Sequence, residues 1–235
     1  MPINKSSIEV VDLRKRYFRK TVLDGISFTA EKGKITCLIG LNGAGKSTIL
    51  KAIMGLTPVQ GGSILIDGAL FTKASYEKVA FVPDHLTMPL GMTIDAGIQW
   101  MEQFYSSWNT KRAVELLSFF KLNAADRIGN LSKGTAAKYN LLLGLSQATD
   151  YIIMDEQFSG IDLLAREQIA EVFSSELIED RGVLITTHEI QEMEYLIDRA
   201  VLLKNGVINQ AFDCEDMRSL HSKSVTDVMR EVYQS

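Results

Sequence analysis

The sequence predicts an α/β fold: a mainly parallel sheet covered on both faces by helices, with an α-helical stretch inserted into the chain. Short apolar runs that stop at glycine, proline or paired acids supply the strands. They lie at Ile35–Ile39 before Gly40, Val79–Val82 before Pro83, and Tyr151–Met154 before Asp155-Glu156. Helical patterns alternate with these runs. Between residues 86 and 148 the texture is helical and no strand is convincing.

Ile8-Glu9-Val10-Val11 opens the first strand, and Thr21–Thr29 alternates through Val22, Leu23, Ile26 and Phe28. Ser47–Met54 reads as a helix. Ile64-Leu65-Ile66 is a strand turned by Asp67-Gly68. In the helical stretch, Ala113, Leu116, Leu117 and Phe120 share one face at helical spacing. Met88, Met92, Met101, Phe104, Phe119 and Phe120 read as core or partner-groove residues rather than a cofactor box. Leu163–Glu179 is a long helix, Val183–Ile185 and Val201–Leu203 are strands, and Asn205-Gly206 signals a hairpin turn. From Asp213 onward the tail is polar and mostly helical.

A chain of 235 residues suits one sizeable domain or two small lobes with a real core. Lys plus Arg is 25 and Asp plus Glu is 29, a net charge of −4 without any basic block. That balance argues against nucleic acid as a partner, because phosphate neutralisation supplies most of such affinity. No stretch approaches the ~20 apolar residues of a membrane helix, and Met1–Val10 holds no signal-like apolar run. The expectation is a cytoplasmic protein whose membrane component, if it has one, is another chain. Cys37 and Cys214 are expected to be reduced thiols, with Cys37 in the core.

Gly40-Leu41-Asn42-Gly43-Ala44-Gly45-Lys46-Ser47 fits the G-x-x-x-x-G-K-[ST] pattern, between an expected strand and an expected helix. Glycines let the backbone curl so that amide N–H groups of Asn42, Gly43, Ala44 and Gly45 can converge on phosphate oxygens. The helix N-terminus adds partial positive charge. Lys46 is placed to reach the β- and γ-phosphates, Ser47 to hold Mg2+, and Thr48 to add a phosphate contact. This motif specifies nucleotide phosphate without choosing among the P-loop families. Tyr151–Met154 then delivers Asp155 and Glu156 at a strand end, where ligands of parallel sheets collect. Asp155 can hold the hydration shell of Mg2+, and Glu156 can polarise an attacking water.

The residues that follow resemble the ABC ATPases. Ser159-Gly160-Ile161-Asp162 is similar to their D-loop, Leu131-Ser132-Lys133-Gly134-Thr135 to their LSGGQ signature, and Ile185-Thr186-Thr187-His188 to their switch histidine after a strand. Tyr17 lies where the family stacks an aromatic on adenine, with Phe18 as competitor. The likeness covers about residues 8–210. It implies a P-loop NTPase core (1–85 and 149–210) with an N-terminal antiparallel β-subdomain, a helical subdomain (86–148) and a C-terminal helical tail (211–235). It implies ATP and Mg2+ as cofactors, with Glu156 and His188 as catalytic residues.

It also implies that Asp162 binds nucleotide and that Ser132 and Gly134 meet nucleotide across a dimer, a homodimer or a heterodimer with a second ABC ATPase. Ser132 suits a helix N-cap, and the helix Thr135–Ser146 would aim its positive end at a γ-phosphate. The implied role is the ATP-hydrolysing subunit of a transporter, of exporter type, docked on the inner face of the membrane through an integral membrane permease. The docking groove is expected near Asp84–Thr93 and Trp100–Trp108. Non-transport ABC proteins usually carry two cassettes, a long coiled coil or basic segments, none seen here. A non-catalytic regulatory subunit is opposed by intact Lys46, Asp155, Glu156 and His188.

The sequence departs from the family in places. Asp84 stands where a glutamine is usual; its carboxylate can reach Mg2+ through water but cannot donate as an amide does. Lys133 replaces a glycine and either brings charge near a phosphate or faces solvent. Thr135 replaces the signature glutamine. Gln157 replaces a proline and is expected to matter less. Such LSKG signatures resemble those of a subgroup of bacterial subunits paired with separate exporters.

Overall fold

A computed structural model describes residues 6–175, 178, 180–188, 190–191 and 193–234. The chain runs β1 (Ser7–Tyr17), β2 (Lys20–Glu31), β3 (Ile35–Gly40), α1 (Lys46–Ile53), β4 (Gly61–Ile66), β5 (Ala69–Leu70) and β6 (Val79–Val82). Helices α2 (Ile94–Phe104), α3 (Thr110–Phe119) and α4 (Lys133–Leu145) follow. Then come β7 (Tyr151–Asp155), α5 (Leu163–Phe173), β8 (Gly182–Thr187), β9 (Arg199–Lys204), β10 (Val207–Asp213), α6 (Cys214–His221) and α7 (Val225–Gln234).

The strands form two sheets. One has four strands in the order β2-β1-β4-β5, all antiparallel. The other has six in the order β10-β9-β3-β8-β7-β6, parallel except for the β9–β10 edge pair. The central strands read as unbroken apolar runs because both their faces are covered. In β7, Tyr151 and Ile153 belong to the apolar cluster shared with the antiparallel sheet and α1, while Ile152 and Met154 belong to the cluster that holds α4, α5 and α7. This period of two divides the interior into two apolar clusters.

Three elements differ from their sequence expectation: β10 runs through Asp213, so the helical tail expected over 211–235 begins at Cys214, and β1 and α5 differ in extent. β1 runs past Val11 to Tyr17. Asp12 takes a left-handed φ of 47° and the register slips there, so the hydrophobic alternation breaks although the pairing continues. Lys15 of this second half is buried, its ammonium bonded to the Pro58 carbonyl, although a lysine gives no strand signal in sequence. Helix α5 ends at Phe173 with Ser174 as its cap, short of the expected Glu179, which lies outside the described residues.

Between β6 and β7 no strand forms among the described residues beyond the isolated bridges Thr93–Arg127 and Trp108–Gln147. Thr93 and Asn109 cap α2 and α3 through their side chains. Ala113, Leu116 and Phe120 are buried, with Leu117 packed beside them, so the expected face is the inner one. Met88 and Met101 are buried as well, whereas Phe104 is exposed and tilted against Trp100 at 4.4 Å between ring centroids. Cys37 and Cys214 are buried free thiols. No helix among the described residues is long and apolar enough to cross a membrane.

Candidate functional site

Strand order brings distant segments together. β3, β8, β7 and β6 lie side by side and parallel, so their C-terminal ends share one edge of the sheet. From that edge depart the loop Gly40–Ser47, His188, the pair Asp155-Glu156, and Pro83-Asp84. A cleft of about 500 Å3 opens there. Asn42, Gly43, Gly45, Lys46, Ser47, Thr48, Asp84, Glu156 and His188 all line it.

The loop needs its glycines where the backbone is left-handed. Gly43 has φ 80° and Gly45 φ 111°, and a Cβ at Gly45 would lie 2.8 Å from Leu23 Cδ2. Gly45 is the N-cap of α1, so the first amides of that helix lack intrahelical partners and face the cleft with the helix dipole behind them. Lys46 is buried; its Nζ donates to Gly40 O at 2.7 Å and lies 3.1 Å from Glu156 Oε1. Ala44 lines the opposite side of the loop, toward Leu203–Gly206.

Glu156 sits at the junction of these contacts. His188 Nδ1 is 2.7 Å from its Oε2, so each carboxylate oxygen has a cationic or ring-nitrogen neighbour. Its φ is 49°, a left-handed conformation that costs a non-glycine residue about 1 kcal/mol or more. The amide of Glu156 donates to Thr186 Oγ1 at 3.1 Å, which helps hold that conformation.

Asp155 is buried beneath. Its Oδ1 accepts from Thr186 Oγ1 at 2.6 Å and from Ser47 Oγ at 3.1 Å. Burial pushes its carboxyl above the ordinary carboxylate range, against those two hydrogen bonds, and repulsion from Asp84 and Glu156 adds to the rise. Among the described residues no group of three or more His, Cys, Asp or Glu could hold a metal ion alone. Ser47 and Asp155 instead form a two-oxygen donor set beside the Gly40–Ser47 loop, with Asp84 and Glu156 nearby. That set fits Mg2+, which takes few protein ligands and completes its shell with phosphate and water.

Other expected residues lie elsewhere. Tyr17 ends β1, its hydroxyl 3.4 Å from Thr57 Oγ1, and Lys15 Nζ lies 4.5 Å from its ring centroid. The bond to Thr57 holds its hydroxyl below the ordinary range against a small burial effect, with Lys15 and Thr48 adding to the shift. Phe18, the competitor, is fully exposed at the hairpin turn. Ser132 is the N-cap of α4, its hydroxyl accepting from Thr135 N at 3.2 Å. Asp162 caps α5, accepting from Ala165 N at 2.9 Å, and a Cβ on Gly134 would lie 3.0 Å from Asp162 Oδ2. Ser132, Gly134 and Asp162 therefore gather around two neighbouring helix starts, and none lines the Lys46 cleft. Lys133 does line that cleft, its Nζ folded against Gly160.

Thr186 and Gln157 were not legible as site residues. Gln157 Nε2 donates to Pro83 O at 2.7 Å and Asp155 O at 3.1 Å, tying the end of β7 to the Asp84 segment. A proline at this position has no amide side chain to make that tie. Asn140 of α4 donates to the same Pro83 carbonyl at 3.2 Å and to His85 O at 3.0 Å.

The family model described as ABC transporter matches residues 23–159. The chain is 31% identical over 207 residues to a Nod factor export ATP-binding protein I of Ralstonia nicotianae, covering 85% of this chain and 64% of that one. It is 32% identical over 215 residues to the aliphatic sulfonates import ATP-binding protein SsuB of Corynebacterium glutamicum, covering 88% of this chain and 84% of that one. A solved ATP-binding subunit of an ABC transporter superposes with a TM-score of 0.85 at 26% identity, over 97% of this chain and 100% of that one. The chain spans about two thirds of the length of the Nod factor export relative. Sequence, family match and whole-chain superposition converge on one conclusion: this chain belongs to the ABC transporter family, as a subunit that binds ATP and hydrolyses it.

Proposed function

We propose that the chain works as one half of an ATP-closed dimer that drives a separate membrane permease, and that it does so as an exporter. The observation that carries the catalytic part is the Glu156 carboxylate held between Lys46 and His188 above the Asp155–Ser47 pair. In this reading Lys46 and the Asn42–Gly45 amides grip the triphosphate, Thr48 adds a phosphate contact, and Tyr17 stacks on adenine. Asp155 and Ser47 hold Mg2+, with Asp84 reaching its hydration shell. The bound cation neutralises charge that develops on the transferred phosphoryl group. Glu156 polarises the attacking water, and His188 orients Glu156 through Nδ1.

The dimer is supported by geometry within one chain. Ser132, Gly134 and Asp162 stand outside the chain's own cleft at two helix N-termini, and the amides of α4 offer a second phosphate cap. One phosphate loop and one signature per chain then complete each other only across a symmetry axis. Ser132→Ala is expected to slow hydrolysis about 10- to 100-fold, the value of one hydrogen bond to a charged group, while ATP affinity of the monomer stays at wild type. Equal loss of both in parallel binding and turnover assays rejects the across-dimer role.

Residues 86–148 act here as a helical subdomain. Between it and the core runs a largely apolar cleft of about 690 Å3, lined among others by Leu56, Phe81, Met88, Trp100 and Tyr105. Such a groove fits an amphipathic helix of a permease, which would hold the subunit on the inner face of the membrane. The export direction rests on the Nod factor export relative and the LSKG signature; the similarity to an import protein leaves import as the competing reading. Affinity purification from detergent-solubilised membranes is expected to recover a multi-span integral membrane protein. Recovery of ribosomes in its place rejects the transport reading.

A further inference from the structure

Helix α7 is fastened to the core at both ends, and its last turn lies against the nucleotide-binding edge. At its start, the Glu194 carboxylate, on the segment downstream of His188, accepts from Val225 N at 2.6 Å and Thr226 Oγ1 at 3.0 Å. Ser224 and Asp227 add a reciprocal cap, with Asp227 N donating to Ser224 Oγ at 3.0 Å and Ser224 N to Asp227 Oδ2 at 3.0 Å. Val225, Val228 and Val232 are buried beneath. At its end, Lys204 Nζ donates to Val232 O at 2.7 Å.

The last turn makes the contact that matters. Tyr233 Oη is 3.1 Å from Ile39 O and 3.1 Å from Leu203 O. A phenol carries one proton, so the two carbonyls share it. Burial pushes this hydroxyl up to about 12, so at neutral pH it keeps its proton and donates. Both carbonyls belong to the C-terminal ends of β3 and β9, neighbours in parallel pairing, where β3 leaves for the phosphate loop. The next carbonyl along, Gly40 O, takes Lys46 Nζ. Consecutive carbonyls at the root of the loop are thus held by Tyr233 and by Lys46. The junction is tight as well: a Cβ on Gly40 would lie 3.0 Å from Leu203 O.

We propose that Tyr233 is a positioning residue for the phosphate loop: it pins the ends of β3 and β9 together and so fixes the point from which the Gly40–Ser47 cradle departs. Affinity for nucleotide phosphate then depends on a side chain of the C-terminal helix that never touches nucleotide. The proposal rests on the phosphate-loop reading above.

The test uses the full chain and Mg-ATP. Tyr233→Phe keeps the ring and removes only the hydroxyl. It is expected to weaken ATP binding about three- to tenfold, the net worth of a buried hydrogen bond, with kcat at saturating ATP within about twofold of wild type. Val228→Ala, on the buried face of the same helix but with no polar group to hold a carbonyl, is expected to lower the melting temperature and leave ATP affinity unchanged below the transition. Wild-type affinity in Tyr233→Phe, a loss of kcat at unchanged affinity, or equal weakening by Val228→Ala each overturns the proposal. Lys46→Ala measured alongside separates the two levels: if it too binds as wild type, the phosphate-loop reading fails; if only Tyr233→Phe is silent, the positioning role alone fails.

Discussion

Glu156→Gln is expected to bind ATP and to hydrolyse it about 10²- to 10⁴-fold more slowly than wild type, the contribution of a positioned general base. The amide is the same size as the carboxylate and can accept from Lys46, which sits 3.1 Å away. What it lacks is the capacity to take a proton from water. The strained φ of 49° at this residue persists, because Thr186 and the end of β7 impose it. Chemistry therefore stops while the grip remains, and dimers should accumulate on a sizing column in Mg-ATP. Wild-type turnover in this variant would falsify the assignment of Glu156 as base.

Lys46→Ala is expected to lose ATP affinity by at least ~30-fold, since truncating one member of a buried charged pair costs about 2 kcal/mol or more. Lys46 is nearly inaccessible to solvent, so water cannot substitute for its ammonium. Its removal also leaves Glu156 with the His188 ring beside it and leaves the Gly40 carbonyl without the ammonium. Titration calorimetry with Mg-ATP reads the loss directly, and affinity within about threefold of wild type contradicts the phosphate-grip role.

The parts of the site that sequence displays are those built from contiguous residues. Gly40–Ser47 announces itself because backbone curl, dipole and lysine all sit in one stretch. Asp155 and Glu156 announce themselves because an apolar strand ends on them. Thr186, Gln157 and Tyr233 stay silent because their partners are fixed by the order β3-β8-β7-β6 and by the docking of α7, which no local pattern encodes. The second half of β1 was hidden for a different reason. Lys15 and Arg16 look solvated in sequence, but Lys15 is buried with its ammonium on a carbonyl, and Asp12 breaks the alternation on which strand reading depends. The length of α5 was overestimated because apolar residues continue past its end; Ile178 is buried outside the helix.

The Pro83 carbonyl accepts from Asn140 on one side and Gln157 on the other. With both lone pairs engaged and the proline ring fixing φ at this residue, the Pro83 carbonyl has little room to shift. A tilt of α4 relative to the end of β7 must drag Asp84 along or sacrifice hydrogen bonds worth about 1 kcal/mol each. The segment thus behaves as a linkage rod rather than a spring. Torque applied to the helical layer arrives at Asp84 and Asp155 as displacement, and displacement at those carboxylates returns as torque.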